Sequence, residues 1–173
     1  MNFGKIKMET TRDYFMKYLY QVDINKIELE HTDAVEMIDK FIEENKCNII
    51  KTNQDYLNEE DSNSSDKKQC KEENKTHESK EKHISENVQK DINENIEIDK
   101  LINRDYMYKM CSLFADNSST IDDMINRNAN NWTIDRMPKV DLAILRTAIC
   151  EILYLNIPNL VSINGAIELA KIY

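Results

Sequence analysis

Apolar residues recur at helical spacing in separate stretches of this chain. Between Arg12 and Asp23 the sequence RDYFMKYLYQVD sets Phe15, Leu19 and Val22 three and four apart, with Met16 and Tyr18 widening the stripe. That period predicts a helix buried along one side, with Thr10 or Thr11 suited to cap its start. A second helix is predicted from about Asp33, where Val35, Ile38, Phe41 and Ile42 recur at three and four. Thr32 or Asp33 is suited to cap it, and Glu36 falls in the first turn, where a carboxylate favours the helix dipole.

The pattern then lapses. From Thr52 to about Glu97 the chain is Asn, Lys, Glu, Asp and Ser, with almost no apolar residue before Ile84. Such a segment buries too little surface to offset its ordering entropy, so Gln54 to about Glu86 is expected to be a disordered insert or a solvated, transient helix. Its charge run KKQCKEENKTHESKEKH interleaves lysine with glutamate and reads as a solvated linker rather than an RNA-binding arm.

Periodicity returns near Ile96. Ile98, Leu101 and Ile102 open a helix expected to continue through Tyr106, Met110, Leu113 and Phe114. Ser118, Ser119 or Thr120 is expected to cap another, carrying Ile121, Met124 and Ile125. The strongest helix is expected from about Pro138 to Leu155, with Leu142, Leu145, Ile149, Ile152 and Leu153 as its core stripe and Asn156-Ile157-Pro158 as its stop. Ser162 is then suited to cap a last helix with Ala166, Ile167, Leu169 and Ala170. No stretch alternates as a strand does. The expectation is an all-α helical bundle in three parts: residues 1–51, the insert 52–97, and residues 98–173.

Composition narrows this further. Two glycines and two prolines in 173 residues are a poor supply for the turns of a β protein. No long apolar run suggests a membrane span, and the N-terminus lacks the apolar core of a secretory signal, so the cytoplasm is the expected location. Cys47, Cys70, Cys111 and Cys150 form no CxxC pair and are expected to be reduced. Cys70, His77 and His83 lack the spacing of a zinc site. No nucleophile elbow, phosphate-binding loop or zinc-protease motif occurs, so neither catalysis nor a cofactor is expected. The net charge of −9 opposes a globally basic nucleic-acid binder and leaves room only for a local basic patch.

Three pieces, in order, resemble the NusB family of bacterial transcription antitermination factors. They are RDYFMKYLYQVD, DYMYKM, and the C-terminal run W-x-I-D-R, V-D-x-A-I-L-R-x-A-x-x-E-I-L, I-P and I-N-x-A-I-E-L-A-K. The resemblance covers about residues 12–23 and 98–173. It implies two small packed helical subdomains, and a heterodimer with ribosomal protein S10 (NusE) that binds boxA RNA of ribosomal leader transcripts within the transcription elongation complex. Carried over residue by residue, it implies RNA contact at Arg12, with Lys5 and Lys7 just upstream, and partner contact at Tyr20 and Asp141. It also admits an RNA-binding module of the kind fused to ribosomal RNA methyltransferases, or a helical adaptor without RNA affinity.

Arg146 and Glu151, five apart, are expected to pair across the bundle rather than with each other. Trp132 is expected to be an aromatic plug and Pro158 a helix stop. Two departures from the family stand out. Gly165 replaces a glutamate that would complete a capping box with Ser162, so Gly165→Glu is expected to stabilise. The family's final helix is missing after Tyr173, which is expected to leave Ile167 or Ala170 partly uncovered and to weaken stability and RNA binding.

Overall fold

Every regular element among the described residues is helical, as the period of the apolar positions predicted. The computed structural model describes residues 3–29, 33–54 and 98–173. The helices are α1 (Phe3–Asn25), α2 (Ala34–Thr52), α3 (Arg104–Asn128), α4 (Lys139–Tyr154) and α5 (Asn159–Ile172), with a 3-10 turn at Ile134–Arg136 before α4. No described helix is long and apolar enough to cross a membrane.

The chain divides into two compact units, residues 1–44 with 102–173, and residues 45–101. Of the second, residues 45–54 and 98–101 are described; Ile49, Ile98 and Leu101 are buried, and the Asn53 amide donates to the Ile49 carbonyl at 2.8 Å. Most of the expected insert, including Cys70, His77 and His83, lies outside the described residues, as do His31 and Thr32.

In the first unit, α1 packs on α4, and α4 in turn packs on α3 and α5. Phe15, Leu19, Met107, Met110 and Leu142 are fully buried. Aromatic edges close this core: Phe15 meets Tyr106 edge-on at 6.4 Å, and Tyr18 meets Phe41 at 5.4 Å. Both are edge-to-face geometries that the ring quadrupoles favour.

The expected helix ends and buried sides need four corrections. Helix α1 begins at Phe3, so Thr10 and Thr11 lie inside it and cap nothing. The Thr11 hydroxyl instead donates to the Lys7 carbonyl at 2.6 Å and accepts the Asn103 N–H at 2.9 Å, tying α1 to the start of α3. Helix α3 is one 25-residue element where two were expected. Its true cap is Asn103, whose side chain accepts the Tyr106 N–H at 3.1 Å, so the break falls before Arg104 and not at Ser118 to Thr120. Phe114 and Ile121, two turns apart, stay on one buried side, and the tertiary core carries the helix through the intervening serines.

The third correction concerns α4, whose ends were legible but whose buried side was not. Leu142, Ala143, Ile144, Thr147, Ala148, Cys150 and Glu151 are buried, while Leu145 and Leu153 are exposed. Large aliphatics defined the expected stripe; the buried side also takes in the small residues Ala143, Thr147, Ala148 and Cys150 and the charged Glu151. Val35 in α2 is likewise exposed, whereas Ile38, Phe41 and Ile42 are buried.

The fourth concerns α5, which starts at Asn159 after Pro158 and carries Ser162 inside its first turns. Ser162 is buried, and its hydroxyl meets no hydrogen-bond partner among the described residues. No capping box is therefore available to a glutamate at position 165. A Cβ at Gly165 would stand 3.1 Å from Arg12 Cδ. Replacing glycine removes a helix penalty of about 1 kcal/mol, but crowds an arginine held in place by an ion pair. Gly165→Glu and Gly165→Ala are each expected to melt at or below the wild-type midpoint in a thermal scan. A clear rise would show that Arg12 yields to the added side chain and that the helix penalty of glycine dominates. Ile167 and Ala170 are exposed along α5.

Candidate nucleic-acid and protein interface

The surface residues singled out in the sequence are carried on α1 and α4, so the contacts that join these helices come first. The deepest is an ion pair between Arg12 of α1 and Glu151 of α4. Arg12 Nε donates to Glu151 Oε1 at 2.7 Å, and the Glu151 side chain is fully buried. The Tyr106 hydroxyl of α3 donates to the same oxygen. One carboxylate oxygen therefore joins three helices. Burial pushes the Tyr106 phenol above its ordinary pKa, and the negative charge of Glu151 adds to the shift. Glu151 Oε2 is buried without a hydrogen-bond partner among the described residues. Burial also pushes the neighbouring Cys150 thiol up to about 12, which keeps it protonated and inert.

A second junction lies around Arg146. Its guanidinium holds Asp122 of α3 through two bonds, Nε to Oδ1 at 2.8 Å and Nη2 to Oδ2 at 2.7 Å, and donates to Asp23 of α1 at 3.0 Å. Lys139 Nζ stands 2.7 Å from Asp23 Oδ2. Arg146 and Glu151 thus each pair across the bundle, as their spacing of five implied. Burial acts to raise the Asp23 pKa, but the hydrogen bonds from Lys139 and Arg146 outweigh it and hold the carboxyl below its ordinary range.

A carboxyl depressed in the fold contributes stability above its unfolded pKa and loses it as pH falls through the folded one. The stability gap between wild type and Asp23→Asn is therefore expected to narrow as pH drops below about 4. Urea unfolding across that range would show it, and a gap independent of pH would contradict it.

The sequence-chosen residues fall in different settings. Lys5 is exposed on the first turns of α1, with its amine 3.6 Å from Glu9. Lys7 is half-buried on the same helix. Arg12, chosen for contact with phosphates, is 8% exposed and engaged with Glu151. Tyr20 and Asp141 are both exposed, on the neighbouring helices α1 and α4. Asp23, one turn beyond Tyr20, reaches Lys139, two residues before Asp141, so both chosen residues flank the same junction.

Trp132 is no plug. It is 53% exposed, on the connection between α3 and α4, where Asn131 adopts a left-handed φ of 65°. The Asn-Asn doublet before it was the available signal, because asparagine tolerates that backbone region. Among the described residues no group of three or more His, Cys, Asp or Glu side chains is arranged to hold a metal ion.

What these observations define is a helical scaffold whose interior is fixed by buried charge and whose α1–α4 surface carries mixed cationic, aromatic and acidic side chains. The NusB family model matches residues 68–173, and the chain belongs to that family. The match takes in residues 68–97, part of the stretch expected to have no family counterpart, and does not include residues 12–23.

Among individual relatives, a protein of Listeria monocytogenes serotype 4a named transcription antitermination protein NusB is 50% identical over 70 residues, 40% of this chain and 55% of its own length. The protein of that name from Natranaerobius thermophilus is also 50% identical over 70 residues, covering 50% of its length. The one from Thermoanaerobacter sp. is 57% identical over 53 residues, 31% of this chain and 38% of its own. The chain thus spans about half, or less, of the length of these relatives. No solved structure matches.

Proposed function

We propose that this chain is a non-catalytic transcription antitermination factor that binds boxA-type ribosomal leader RNA together with ribosomal protein S10, within the cytoplasmic elongation complex. The observation that carries the reading is the family match across residues 68–173, with half the positions identical, over 70 residues, to proteins named for antitermination.

In this reading Lys5 and Lys7 supply phosphate contacts from the start of α1. Arg12 serves the same surface indirectly, by holding α1 against α4. Tyr20 and Asp141, flanking the α1–α4 junction, face the ribosomal protein. An exposed aromatic ring and an exposed carboxylate on neighbouring helices suit an interface with a basic partner. The net charge of −9 repels RNA from most of the surface, so affinity depends on few cations and on the charge the ribosomal protein brings.

Binding of a boxA-type RNA is to be measured with and without the ribosomal protein at two salt concentrations. Salt-sensitive binding enhanced by the partner is expected. Replacing Lys5 and Lys7 together by alanine is expected to lower the salt slope by about two. Partner binding with no effect on RNA would replace the proposal with a protein-binding adaptor, and tight RNA binding indifferent to the partner would favour an RNA module of the methyltransferase kind.

A further inference from the structure

Trp132 is the chain's single tryptophan, and it stands outside the core on a connection that is held at both ends. Its backbone N–H donates to the Ala129 carbonyl at 3.1 Å, at the end of α3. Just beyond it, the Ile134 N–H donates to the Asn126 side chain at 3.1 Å, and the 3-10 turn Ile134–Arg136 leads into α4. The indole is thus presented to solvent by a short, anchored loop.

Its surroundings are polar. Asn128, Asn130, Asn131 and Thr133 are exposed around it in sequence, and none offers an apolar surface. Four residues on, the exposed Arg136 forms no ion pair among the described residues. Of the other cations near it in sequence, Arg127 stands 3.7 Å from Asp123 and Lys139 2.7 Å from Asp23, so Arg136 is the cation of this connection left for a ligand.

An energetic centre for protein binding sits inside an apolar patch that excludes water. The exposed sequence neighbours of Trp132 are polar and supply no such patch. A nucleobase needs only one π-face and a nearby cation, which this loop offers. We propose that Trp132 is a stacking platform for an unpaired base of single-stranded RNA, with Arg136 taking a neighbouring phosphate. This rests on the RNA-binding reading above and adds a contact point more than a hundred residues from Lys5 and Lys7 in sequence.

Because no other tryptophan is present, indole emission reports this position alone. The full chain, with the ribosomal protein present, is titrated with a short single-stranded boxA-type RNA. Quenching of indole emission on binding is expected. Trp132→Ala is expected to weaken binding about five- to 150-fold and Trp132→Phe to retain most of it. Arg136→Ala is expected to lower the salt slope by about one. The ring is exposed, so these variants keep the fold, which circular dichroism verifies.

RNA that binds without changing indole emission, or equally well to wild type and Trp132→Ala, overturns the platform and leaves the RNA-binding reading standing. Loss of ribosomal-protein binding in Trp132→Ala, at unchanged RNA affinity of the free chain, overturns it in favour of a protein contact. Failure of the wild type to bind RNA even with the ribosomal protein overturns both.

Discussion

Glu151→Ala is expected to cost about 3–5 kcal/mol of folding free energy, the usual range when one member of a buried ion pair is removed. Arg12 would keep its charge inside the bundle with its acceptor gone, and the Tyr106 hydroxyl would lose its partner at the same stroke. The loss reflects the stranded groups more than the net worth of the pair. Arg12→Met combined with Glu151→Leu is therefore expected to recover most of it, since two apolar side chains strand no charge. Glu151→Gln, which keeps an oxygen for Tyr106, is expected to fall between. Urea unfolding followed by helical circular dichroism gives the comparison; indole emission is a poor probe because Trp132 is already in solvent. A single variant within about 1 kcal/mol of wild type would show that Arg12 finds another acceptor.

Arg146→Ala is expected to cost about 2–3 kcal/mol, somewhat less because its carboxylate partners are only partly buried. Three hydrogen bonds linking α1, α3 and α4 disappear together, and Asp122 loses a two-bond partner. The guanidinium also lies 5.7 Å from the Phe114 ring, a contact that goes with it. Arg146→Lys is expected to recover less than half, because a single ammonium does not present a planar fork to one carboxylate while reaching a second. Thermal unfolding of the two variants measures this, and full recovery by lysine would mean that charge alone, rather than fork geometry, holds the junction. Lys139 still stands against Asp23 in both variants, so the expected loss is partial rather than complete.

These two arginines mark how far the candidate site could be read from the sequence. Their residue types and the family pattern singled them out, and pairing across the bundle followed for Arg146 from its spacing. Arg12 was legible as important but not as buried. Its partner lies 139 positions away, and nothing in the local sequence of α1 distinguishes an arginine bound to a carboxylate from one reaching a phosphate. Tyr20 and Asp141 could be named singly. Only the Asp23–Lys139 contact brings the surfaces that carry them to one junction.

By itself the sequence determined what is local. The 3.6-residue period required helices, the Asn-Ile-Pro break separated α4 from α5, and the scarcity of glycine and proline left little room for a sheet. The tertiary structure decided which side of each helix is inside. On α4 it buried Ala143, Thr147, Cys150 and Glu151 and left Leu145 and Leu153 in solvent. It turned Thr11 from a presumed cap into a tie between helices, put Ser162 inside α5, and sent Trp132 outward. The reason is physical. Helix formation answers to neighbours three and four residues away, whereas burial answers to whatever distant segment packs alongside. A small or charged side chain goes inside when the opposing helix supplies close contact or the opposite charge.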